Sequence, residues 1–143
     1  MPLSIYFTFA FLLPTLISQL PQSTLGKTHL QVIAIRGADY KKMFDRGYPV
    51  LEYKRTIAND SAFGNYSITE LIYFEHDTCI KDVTILPADQ ADSYVNAFNH
   101  KFQPAGFRSW MEPDSSVITI SVIDNLLDIT SFSNTYYKKI SAH

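Results

Sequence analysis

The sequence predicts an α+β fold: an antiparallel sheet of about five strands with two helices packed on one face. Three stretches carry that expectation. Residues 68–75 and 79–86 are rich in Ile, Leu, Val, Tyr and Phe, and only His76-Asp77-Thr78 separates them, which reads as a hairpin. Residues 88–102 place Ala91, Tyr94, Val95, Phe98 and Phe102 at three- and four-residue steps, the stripe of an amphipathic helix. Residues 116–123 alternate Val117, Thr119, Ser121 and Ile123 with Ile118, Ile120 and Val122, the period of a strand.

The elements follow in order. Thr28 can cap a short helix, with Gln31 three residues on as in a capping box and Gly37 as the stop. Residues 39–47 are polar and turn-like. Residues 50–57 alternate well enough for a strand with one charged face, which suits an edge or a solvent-facing position. Residues 58–66 hold Asn59, Asp60, Ser61, Gly64 and Asn65 and read as a loop. Pro87 then opens the long helix, Asp89 and Asp92 suit its positive end, and Pro104 and Gly106 stop it. Residues 107–112 and 117–124 form a second hairpin. Residues 125–132 extend the sheet or pack on it.

Residues 5–20 are almost purely apolar, and no charged side chain occurs before Lys27. The run matches a secretory leader and is shorter than the ~20 residues a membrane-spanning helix needs. The expected organisation is a signal peptide over residues 1–22, removed near Ser18–Ser23, a single α+β domain over 23–132 and a flexible tail over 133–143. The alternative is an uncleaved anchor. The expected location is outside the cytoplasm, in the periplasm or at the cell surface. No cysteine lies near the cleavage region, so an acylated-cysteine lipoprotein is excluded.

Composition narrows the function. The chain has 143 residues, a formal net charge of −2 and no long basic run, so nucleic acid is a poor partner. Its one cysteine, Cys79, can make no internal disulfide and is expected to be buried; a reactive thiol would need a nearby cation, and only Lys81 is local. Phosphate-binding loops, dinucleotide fingerprints and nucleophile elbows are missing, and no small-molecule cofactor is expected. The best candidate for chemistry is Glu75-His76-Asp77 with Cys79 nearby, a carboxylate–imidazole group suited to acid–base work or a metal. Consecutive strand residues face opposite ways, so a turn is the simpler reading.

Residues 25–86 resemble the small envelope-protein family SmpA/OmlA, the outer-membrane assembly lipoproteins. The matching pieces are Thr28, Val32 and Gly37, then Leu51-Glu52-Tyr53, then Tyr73-Phe74-Glu75-His76-Asp77 through Ile80-Lys81-Asp82-Val83. The second half is similar to small exported Bacteroidetes proteins of unknown function, with a Cys-Ile strand, a helix and a Trp strand. The resemblance implies a fold and no particular functional residue.

Together these features point to a non-catalytic exported protein acting by protein–protein contact, as an accessory subunit of a cell-envelope or outer-membrane complex. The alternatives are a small-ligand or peptide-binding module and a metal-dependent or hydrolytic enzyme centred on His76. The candidate binding residues are Trp110, Tyr136 and Tyr137. Trp110, with Phe107 and Met111 beside it, is read first as a core residue and otherwise as the anchor of a binding surface. Tyr136-Tyr137-Lys138-Lys139 is either a solvated end or a peptide that adds to a partner's sheet edge.

Overall fold

The computed structural model describes residues 20–142. Of the expected leader, all but Leu20, Pro21 and Gln22 lies outside the described residues. The chain runs one plan twice. Helix α1 (His29–Arg36) precedes strands β1 (Lys41–Asp45), β2 (Tyr48–Asp60), β3 (Gly64–Glu75) and β4 (Thr78–Pro87). A 3-10 turn (Ala88–Gln90) and helix α2 (Ala91–Lys101) then precede β5 (Gln103–Gly106), β6 (Ser109–Met111), β7 (Val117–Ile123) and β8 (Leu126–Phe132). Helix α3 (Asn134–Ser141) follows. Each half is an antiparallel meander, and the last strands of the two, β4 and β8, pair antiparallel to give one eight-stranded sheet, β1-β2-β3-β4-β8-β7-β6-β5.

The architecture is α+β with an antiparallel sheet, as read from the sequence, but two parts of that expectation need correction. The sheet has eight strands rather than about five. The three helices do not share a face. Val32 of α1 packs on Leu51, Tyr53, Ile72, Phe74 and Cys79, and Tyr94 and Phe98 of α2 pack on Ile118, Ile120, Leu127 and Ile129. The ladder Leu51↔Ile72↔Asp82↔Ser131↔Ile118 puts both sets on one face. Tyr136 of α3 packs on the opposite face, against Val50, Tyr73, Ile80 and Val83.

The missed strands have physical reasons. β1 is KKMFD, an edge with three exposed residues and no apolar alternation, closed onto β2 by Arg46 and Gly47 at φ 53° and 85°. β5 is QPAG, exposed throughout, and Pro is tolerated in a strand where its missing N–H faces solvent. β2 and β3 run on through most of the stretch read as a loop, down to Asp60↔Gly64. Lys41 and Lys42 on one edge, and Pro104 and Gly106 on the other, discourage pairing with another chain.

Helix ends follow the sequence signals. Thr28 and Gln31 make the capping box, with Gln31 N–H donating to Thr28 Oγ1 at 3.3 Å and Thr28 N–H to Gln31 Oε1 at 3.0 Å. Gly37, at φ 95°, ends α1 and donates to Ile33 O at 2.8 Å. Where a flexible tail is expected, Ser133 caps α3 by accepting from Tyr136 N–H at 3.3 Å. Among the described residues, no helix is long and apolar enough to cross a membrane.

Candidate functional site

The residues singled out from the sequence are not brought together. Trp110 is 2% exposed on the helix-bearing face, edge-on to Phe98 at 5.3 Å between ring centroids. It belongs to the core. Tyr136 and Tyr137 sit on the other face, both half-buried against Phe132, with Tyr136 also edge-on to Tyr48. They fasten α3 to the sheet rather than reach outward.

The Glu75-His76-Asp77 group comes apart in the same way. His76 and Asp77 are the two left-handed residues of the β3–β4 turn, at φ 51° and 57°. Glu75 pairs with Lys139 Nζ at 3.1 Å. Asp77 turns to the start of α1, where Oδ1 accepts from His29 N–H at 3.1 Å and lies 2.5 Å from His29 Nδ1, and these bonds hold its carboxyl below the usual range. The His29 ring stacks on Phe74 at 3.6 Å. Cys79 is fully buried beneath α1, and burial pushes its thiol up to about 12, the opposite of a reactive cysteine. Among the described residues, no group of three or more His, Cys, Asp or Glu is arranged to hold a metal ion.

Two features were not read from the sequence. The first is a polar seam between α1 and α2. Arg36 donates to both oxygens of Glu70, at 2.7 and 2.9 Å, and to Gln22 O. Thr24 donates to Asp82 Oδ2 at 2.8 Å, and Asp82 Oδ1 is buried with no hydrogen-bond partner among the described residues. Burial, then the charge of Glu70, raise the Asp82 carboxyl well above its ordinary value. Cavities of about 250 Å³, beside Arg36 and Glu70, and about 240 Å³, beside Asp82 and Phe98, flank Pro21. Both fall below the roughly 300–1,000 Å³ of common small-molecule sites.

The second feature is the part of the α3-bearing face that α3 leaves open. Two rows of side chains cross it. One is Lys54, Thr69, Ile85, Asp128 and Ser121, in register across five strands. In the next, Pro87, Leu126 and Ile123 stand side by side. Leu126 is 47% exposed and Ile123 60%. A shallow groove of about 490 Å³ runs along these rows past Glu52, Lys54, Thr69, Ile85 and Leu126. Partial burial raises the Asp128 carboxyl. The surface sets an apolar row at the strand ends beside a mostly polar row further in, the mixture of a contact patch. Its only sequence signal was the late part of the alternation that ends at Ile123.

No family model matches the chain, and neither the curated proteins nor the solved structures compared with it include a match.

Proposed function

We propose that this chain is a non-catalytic exported protein that acts by contact, as an accessory subunit of a cell-envelope complex, and that its partner protein docks on the open part of the α3-bearing face. The observation that carries the reading is the row Pro87, Leu126 and Ile123, in which Leu126 and Ile123 are apolar and exposed beside half-buried Pro87 on the open sheet face. The groove along this surface is shallow and open to solvent, which suits a protein partner better than a small ligand, normally enclosed over most of its surface. Asp128 sits within the patch and Asp124 at its edge, so the partner surface it fits is apolar with a basic group beside the apolar contact.

Two further points support contact over catalysis. The groups that looked capable of chemistry are engaged in holding the fold: Glu75 by Lys139, Asp77 by His29, and Cys79 under Thr24. The apolar leader expected from residues 5–20, and the resemblance of residues 25–86 to outer-membrane assembly lipoproteins, both direct the reading to the envelope. The test is co-purification from the native envelope with Ile123→Glu and Leu126→Glu. Both variants are expected to fold normally and to lose a partner that the native protein and a Leu30→Glu control retain. A partner held equally by all four proteins would overturn the assignment of the surface.

A further inference from the structure

We infer that the partner protein grips the end of the β7–β8 hairpin from both faces of the sheet, in an apolar cleft with a basic mouth. This rests on the contact reading above and extends it to the opposite face of the same two strands. The outermost rungs of the β7–β8 ladder are Val122↔Leu127 and Ile123↔Leu126. Successive strand residues face opposite ways, so Ile123 and Leu126 stand on the α3-bearing face and Val122 on the face that carries α1 and α2. The core of that second face takes in Ile120 and Leu127 with Tyr94 and Phe98 and stops short of Val122, which is 41% exposed. The hairpin end is therefore apolar and open on both sides.

This end is rigid and belongs to a wider ridge. Asp124 and Asn125 make a two-residue turn, both left-handed at φ 52° and 62°, and Asn125 O accepts from Ala88 N–H at 3.1 Å. A prong fixed in this way loses little freedom when a partner closes on it. Ile120 N–H donates to Arg108 O at 3.0 Å, which sets the β5–β6 turn at the same end of the sheet. Phe107 in that turn is 90% exposed. Single apolar side chains scattered on a surface need no explanation, but Phe107, Val122, Ile123 and Leu126 gather at one sheet end.

The charges there select the occupant. Asp124 is exposed at the apex, Asp128 lies two rungs behind Leu126 on the same face, and Asp89 is exposed next to Ala88. Arg108 is half-buried, with its guanidinium 5.6 Å from the centre of the Phe107 ring. An acidic apex is repelled by an anionic lipid surface and is costly to sink into a bilayer. A second copy meeting it end to end would set acid against acid. Lysine or arginine at the mouth of a partner's cleft complements it.

The experiment places a photoreactive residue at position 122 or 123 of the full chain in the native envelope, and measures capture of the crosslinked protein by Val122→Glu, Ile123→Glu and Asp124→Asn. The same protein is expected from both positions, although they lie on opposite faces. Val122→Glu and Ile123→Glu are each expected to weaken its capture at least about tenfold, with urea midpoints near the native value. Asp124→Asn is expected to weaken capture at low salt and to reduce its salt dependence. If Val122→Glu does not fold, the crosslink from position 122 carries the test. A crosslink from 123 without one from 122, or native capture by folded Val122→Glu, would overturn the grip and leave the single-face reading standing. No protein crosslinked from either position would remove both. Crosslinks confined to lipid or to a second copy, or an unchanged salt response in Asp124→Asn, would overturn the stated partner.

Discussion

The indole nitrogen of Trp110 donates to Asn99 Oδ1 at 2.9 Å, joining the short strand β6 to the last turn of α2. The strand has only three residues, and this bond and the Phe98 contact tie it to the helix. Trp110→Phe is expected to keep the packing and cost about 1 kcal/mol, the typical worth of one hydrogen bond. Trp110→Ala opens a cavity and is expected to cost about 3–5 kcal/mol. Urea unfolding measures both. A Trp110→Ala protein as stable as the native one would show that the residue is not in the core.

Thr28 and Gln31 satisfy each other's backbone donors at the start of α1. The helix is only eight residues long and has one fully buried side chain, Val32, so it depends on its cap. Thr28→Ala is expected to destabilise by about 0.5–2 kcal/mol, whereas Thr28→Ser is expected to be near neutral. Hydrogen exchange of the amides of α1 locates the effect, since a cap defect loosens the first turn before the rest.

Asp82 sets a pH dependence for the whole fold. Its carboxyl is raised in the folded state, so the native protein keeps a proton that the unfolded chain has released. Stability from this group is complete below the unfolded aspartate value, falls as pH rises toward the folded value, and is level beyond it. Asp82→Asn removes that fall. Urea midpoints measured across the pH range are expected to decline with rising pH in the native protein and to decline less in the variant.

The parts legible in the sequence were those where one short stretch carries its own period. The hairpin of β3 and β4, the stripe of α2 and the capping box of α1 are of that kind. β1 and β5 were not legible because an exposed edge strand needs no apolar alternation, and α3 because its apolar side chains are few and aromatic. The acid pair was out of reach for a different reason. The turn pairs Phe74 with Cys79, but a shift after Tyr73 pairs Ile72 with Asp82. Without that shift Glu70 would pair with Val83, and Asp82 would point to the other face. One bulge therefore decides whether Glu70 and Asp82 meet. The open patch was equally hidden, because which half of a face α3 covers is a tertiary matter.

The most direct test of the contact surface is site-specific photocrosslinking in the native envelope. A photoreactive residue placed at Ile123, on the open patch, is compared with one at Leu30, which is 79% exposed on α1 on the other side of the sheet. The account predicts one discrete crosslinked protein from position 123, the same one from position 126, and none from position 30. Crosslinks from position 30 alone, or no protein crosslinked from 123 and 126, would contradict it.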